Sequence, residues 1–166
     1  MIDPHQFRAQ ILQPVLGVLA GVMKEPWLSA PTAQALLMAT AAVESRLGTD
    51  LVQIGGPAKN IYQMEPIGAA APWAALMEPE WNDVFVAFRL NRNWSATDAL
   101  TVSVTDLALA TVLARIFYWL KPFHLPTDIT RAGLWEIYKT YWNTTVGATT
   151  EAEFVSAVNT YCDFKI

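Results

Sequence analysis

The sequence has little of what metal, redox or disulfide chemistry needs. Its one cysteine, Cys162, excludes an intrachain disulfide, and no His or Cys stands near it at metal-ligand spacing. The two histidines, His5 and His124, lie far apart, and His124 sits in the proline-flanked stretch Pro122-Phe123-His124-Leu125-Pro126. A structural role is expected of both, and no metal or cofactor is expected. Charge is also scarce: 16% of residues are charged and the net charge is −4. Without a basic field, DNA and RNA are excluded as expected partners. The most apolar run, Leu107 to Leu120, is shorter than the ~20 residues a membrane span needs, and Arg115 interrupts it. No membrane span is expected. No charged leader precedes an apolar run at Met1-Ile2-Asp3-Pro4-His5, so no signal peptide is read there. Repeats, low-complexity tracts and long linkers are missing too, which leaves a single domain over residues 1–166.

What is present is apolar and helical in period. Hydrophobic residues make up 53% of the chain, enough for a packed core rather than disorder. Phe7, Ile11, Val15, Val18 and Val22 predict a first helix, with Pro14 kinking or restarting it. Ser29 reads as the N-cap of a second helix with Pro31 in its first turn, and Gly48 as the C-terminal stop. A Gly-Pro loop follows at 55–57. Trp81, Val84, Phe85 and Phe88 mark a further helix. Residues 104–120 are apolar nearly all round, which predicts a central buried helix ended by Pro122. Asp128 is expected to cap a helix running to about Trp142. Thr150 and Glu153 form a capping-box pattern for a last helix ending near Cys162. Leu51-Val52-Gln53-Ile54 is the one strand candidate. The expected class is mainly α, with at most a minor β-hairpin.

One residue conflicts with its surroundings. On the second helix Leu37, Thr40 and Ala41 precede Glu44 by seven, four and three positions, so Glu44 leaves the apolar face. A carboxylate there is either paired, with Arg115 as the candidate partner, or opens into a cleft. Apolar walls raise a carboxyl's pKa by disfavouring its charged form. Such a group stays protonated near neutral pH and can donate a proton. If Arg115 is buried, it is expected to reach a carboxylate.

The stretch Ala41-Ala42-Val43-Glu44-Ser45-Arg46-Leu47-Gly48, with Gln53-Ile54-Gly55-Gly56-Pro57-Ala58-Lys59-Asn60-Ile61-Tyr62-Gln63-Met64-Glu65-Pro66, resembles the lytic transglycosylase and goose-type lysozyme superfamily. There a helix ends in Glu-Ser, and a loop about fifteen residues on carries a Gly-apolar-apolar-Gln-apolar-x-Pro pattern. It is most similar to a phage group within it. Tyr138-Lys139-Thr140-Tyr141-Trp142-Asn143-Thr144-Thr145-Val146-Gly147-Ala148-Thr149 is similar to a later motif of that group. The resemblance implies a lysozyme-like helical domain that cleaves the β-1,4 bond between N-acetylmuramic acid and N-acetylglucosamine in peptidoglycan. It implies Glu44 as the acid/base, Ser45 as a residue orienting substrate or Glu44, Tyr62, Gln63 and Met64 as groove lining, and Asn143 opposite. Two positions depart from the pattern. Asn60 replaces a Gly, although Asn is the non-Gly residue best able to adopt φ > 0. Trp142 replaces a Tyr whose hydroxyl lies near the acid in the superfamily; Tyr141 is the candidate substitute.

Glycoside hydrolysis usually takes two carboxylates, and Asp50 and Glu65 are the candidates for the second. A transglycosylase manages with one, because the sugar's own 6-hydroxyl attacks. The expected partner is the glycan strand of peptidoglycan. A phage-encoded enzyme of this kind is held in the host cytoplasm until lysis or carried in the virion. The rival reading is a virion or tail structural protein that keeps the fold, binds other virion proteins and has weak or no activity.

Overall fold

The computed structural model describes residues 1–144 and 147–166. Thr145 and Val146, part of the Tyr138–Thr149 motif, lie outside the described residues. The described chain is helical, and no strand occurs in it; two antiparallel bridges, Val52 with Lys59 and Lys59 with Met64, are its only β pairings. The strand expected at Leu51–Ile54 is therefore a turn pinned by single bonds such as Gln53 N–H to Ala58 O at 3.0 Å. No helix of the described residues is long and apolar enough to cross a membrane.

The chain begins with α1 (Pro4–Phe7), a π-helical turn at Arg8–Leu12, and α2 (Gln13–Met23). Pro14 restarts the helix as expected, standing in the first turn of α2. The turn before it is widened, with Gln13 N–H bonding back five residues to Arg8 O. The wider turn makes room for the ring and for its missing N–H. Helix α3 (Pro31–Ser45) carries Glu44 in its last turn. Its N-cap is Ala30, not Ser29, which closes the preceding 3-10 turn by donating from Oγ to Pro26 O at 3.1 Å. Pro31 stands at the first turn as expected.

Two helices escaped the reading of the sequence: α4 (Pro66–Met77), which contains Pro72, and α6 (Ala96–Val102), capped by a Ser95–Asp98 box. Between them lies α5 (Asn82–Ala87), where Trp81, Val84 and Phe85 are buried. Helix α7 (Leu107–Trp119) is the central element, touching the 8–12 turn, α2, α3, α4 and α6. Its N-terminus is capped by Asp106, which accepts from Leu109 N–H at 2.9 Å. Then come α8 (Arg131–Ile137), a π-helical turn at Tyr138–Asn143, and α9 (Glu151–Tyr161). Thr130 rather than Asp128 caps α8, accepting from Gly133 N–H. The Thr150–Glu153 capping box forms as expected. Cys162, buried behind α9, is held protonated, its thiol pushed up to about 12 by burial.

The core places α3 for its task. Its apolar residues from Leu36 to Ala42 are buried, and Thr40 Oγ1 meets the Tyr118 hydroxyl of α7 at 2.8 Å. Helix α9 packs on the same helix. The last turn of α3 is thus clamped, and Glu44 follows from that clamp.

Candidate active site

The chain leaves α3 through three successive left-handed residues: Arg46 (φ 50°), Leu47 (φ 51°) and Gly48 (φ 81°). For Arg46 and Leu47 this conformation costs roughly 1–2 kcal/mol each. Gly48 has no such cost, and a Cβ there would press on Ile2 at 3.2 Å. The turn is held by Ser45. Its hydroxyl accepts from Gly48 N–H at 2.9 Å and lies 2.5 Å from Ile61 O and 3.0 Å from Ala41 O. Its carbonyl accepts from Thr49 N–H at 2.8 Å. Ser45 is fully buried. It was expected to orient substrate or Glu44, but every polar atom it has is spent on backbone, so it fastens the loop instead.

The folded-back loop forms a groove of about 430 Å³ lined by Glu44, Asp50, Val52, Gln53, Ile54, Ala58, Gln63 and Glu65. Three carboxyl groups therefore share one depression. Glu44 is the buried one, and its pKa is raised to about 7. Burial is the main cause; the Tyr138 hydroxyl opposes it, and the nearby Glu65 carboxylate adds to it. Asp50 is exposed and held by Arg46, whose Nη2 and Nε lie 2.5 and 3.0 Å from Oδ2. The pair places Asp50 on the groove wall, and Gln63 Nε2 donates to Asp50 O at 2.8 Å. Gln63 thus lines the groove as the resemblance implied.

Tyr62 and Met64 do not. Tyr62 is fully buried, with its hydroxyl 3.2 Å from Thr111 Oγ1 and its pKa pushed up by burial. Met64 is buried and paired through its backbone with Lys59. Both are core; their alternation with half-buried Gln63 follows from the turn, where Asn60 (φ 65°) and Gln63 (φ 47°) are left-handed. Asn60 adopts the positive φ expected of it and is locked by Tyr62 N–H to its Oδ1 at 2.8 Å and by its Nδ2 to Ser103 Oγ at 2.9 Å.

The hydroxyl beside the acid comes from Tyr138, which donates to Glu44 Oε1 at 2.7 Å. Tyr141 was the expected source, but it stacks on Phe123, with ring centroids 4.9 Å apart, and lines another cleft with His124 and Pro126. Trp142 packs against Phe117 and Tyr118 at 4.8 and 5.3 Å. The residue one turn before Trp142 does what Trp142 cannot. The signal was there, since Tyr138 opens the motif, but its facing depends on the π-helical turn. Asn143 is not in the groove. Its Nδ2 donates to Thr149 Oγ1 at 3.2 Å and its Oδ1 accepts from Lys139 Nζ at 2.8 Å. A second cleft of about 350 Å³, separate from the groove, is lined by Val43, Ala148 and Thr149 and by Glu153 and Ala157 of α9.

Arg115 overturns the other expectation. It is buried, its Nε donates to Leu28 O at 3.1 Å, and its guanidinium lies 5.0 Å from the Trp27 ring centroid. Among the described residues no carboxylate reaches it, and Nη2 is without a partner. Glu44 and Arg115 are not a pair. Among the described residues no group of three or more His, Cys, Asp or Glu side chains is placed to hold a metal ion. Comparison of the chain with models of known families, with curated proteins and with solved structures found no match.

Proposed function

We propose that this protein cleaves the β-1,4 glycosidic bond between N-acetylmuramic acid and N-acetylglucosamine in peptidoglycan, on a lysozyme-like helical scaffold, with Glu44 as general acid and base. The carrying observation is a single carboxyl with pKa raised to about 7, buried at one end yet open to a groove that two further carboxylates line. At neutral pH a large share of Glu44 is protonated, so it can give its proton to the bridging oxygen as the bond to the anomeric carbon breaks. The positive charge that develops on the sugar lies in the field of Glu65 and Asp50. The resulting Glu44 carboxylate then takes a proton from the attacking hydroxyl. If that hydroxyl is the muramic acid's own 6-hydroxyl, the product is a 1,6-anhydro end; if it is water, a reducing end.

Tyr138 donates to Glu44 Oε1 and so orients the carboxyl, leaving the other oxygen for the substrate. The groove beside Glu44, about 430 Å³, gives a glycan strand room against the free carboxyl oxygen. Digestion of purified peptidoglycan followed by mass analysis tests the reading. Muropeptides carrying either end are expected, and anhydro ends weigh one water less. Intact sacculi after prolonged incubation would support a virion or tail structural protein instead.

A further inference from the structure

One cation outside the groove is held by several acceptors at once. Lys139 follows Tyr138 in the chain, and its ammonium contacts three acceptors: Asn143 Oδ1 at 2.8 Å, Gly147 O at 2.7 Å and Thr149 O at 3.2 Å. An ammonium has three donors and here spends all of them. One acceptor, Asn143, closes the π-helical turn, and the other two lie in residues 147–149. Lys139 therefore draws residues 147–149 back onto the turn that carries Tyr138. Asn143, held by Lys139, in turn donates from Nδ2 to Thr149 Oγ1 at 3.2 Å. Gly147 fits only because it lacks a side chain, since a Cβ would lie 2.1 Å from Asn143 O.

We infer that Lys139 is a positioning residue: a three-way clasp that fastens residues 147–149 to the π-helical turn that Tyr138 opens, and so keeps the Tyr138 hydroxyl donating to Glu44. Nothing in the clasp lines the groove that holds Glu44. Its effect passes from the fastened turn to Tyr138, and from there to the carboxyl. The groups that act on Glu44 directly are Tyr138 and Glu65. Of these only Tyr138 is tied to the clasp. Loosening the clasp weakens a hydrogen bond that favours the charged carboxylate, so the Glu44 pKa rises. An arginine in place of Lys139 keeps the charge, but its planar fork cannot present three donors to three acceptors converging on one nitrogen.

The inference rests on the reading of Glu44 as a proton donor, but its test needs no turnover. The titration of Glu44 is followed by carbon NMR of glutamate-labelled protein in the wild type, Lys139→Arg and Thr149→Val, with Glu44→Gln assigning the signal. Both variants are expected to raise the Glu44 midpoint by roughly half a pH unit or more, in the direction of Tyr138→Phe. In Lys139→Arg this separates the clasp from simple loss of charge. A folded Lys139→Arg or Thr149→Val protein whose Glu44 titrates as in the wild type would overturn the inference. Should Lys139→Arg fail to fold, Thr149→Val decides alone. A wild type that digests no peptidoglycan but shows the midpoint movement would remove the proposed function and leave the clasp standing.

Discussion

Glu44 and Arg115 are both drawn out of water by the same helical core, Glu44 in part and Arg115 fully, and their surroundings treat charge in opposite ways. Arg115 is sealed. One carbonyl and one indole face compensate it in part, one nitrogen has no partner, and burial alone lowers its pKa to about 10. Glu44 has a hydroxyl donor on one oxygen, an open groove beside it and carboxylate neighbours across that groove. Both are costly to bury. The difference teaches that burial makes a perturbed group, and that only burial beside an opening, with a donor that orients it, makes a usable acid. Perturbation at Arg115 has no route to a ligand and reads as packing.

Changes at four positions sharpen or break this contrast. The largest stability effect is expected at Arg115. Arg115→Ala opens a void under Trp27 and should lower stability by about 2–5 kcal/mol. Arg115→Met fills the volume without the charge and should melt near or above the wild type. A strong loss in the Met variant, read by thermal melting, would mean that the charge itself holds the core. Next is the pH dependence at Glu44. Its folded pKa, about 7, lies above its ordinary 4.5. The neutral form is the one the fold prefers, so its contribution is full below about pH 4.5 and is lost as pH rises through 7. Melting of Glu44→Gln should therefore match the wild type at pH 4.5 and exceed it at pH 8, by on the order of 2–3 kcal/mol. A difference that is constant with pH would contradict the buried carboxyl.

Tyr138→Phe should act on the same group more gently. Losing a hydrogen bond to a charged acceptor should raise the Glu44 pKa by about one unit. The alkaline limb of the activity profile should follow it upward, and wall-clearing rates across pH 5–9 check this. The smallest effect is expected at Asp50. Its ion pair with Arg46 is exposed on both sides, so Asp50→Asn should leave melting unchanged. A loss of activity in that variant would mark Asp50 as the second carboxylate, and full activity would leave Glu65 or a one-carboxylate mechanism.

Much of this contrast was legible in local patterns. The break in the apolar face at Glu44, the capping box at Thr150 and Glu153, and the left-handed Asn60 depend on residues within one turn of each other, and all took the expected form. What failed depended on distance. Arg115 was expected to meet a carboxylate because isolated cations are rarely buried, but which groups surround it is a matter of tertiary packing. Tyr62 and Met64 were assigned to the groove from a motif, and one left-handed residue between them, Gln63, turned both inward. Helix α4 hid behind Pro72 and its alanines, which carry no readable period. Helix α6 announced itself in Ser95 and Asp98, three residues apart, and was passed over because seven residues leave little periodicity. Tyr138 stood in the quoted motif, but only the wider π-helical turn decides that it, and not Tyr141, faces the acid.

The account turns on Glu44 as the proton donor, and one paired measurement tests that most directly: clearing of purified peptidoglycan by the wild type and by Glu44→Gln at neutral pH, with melting recorded on both. General acid catalysis supplies about 10²–10⁴ in rate. The variant should clear the wall at least ~10²-fold more slowly while melting at or above the wild-type temperature. A Glu44→Gln protein that clears the wall at the wild-type rate would contradict the account.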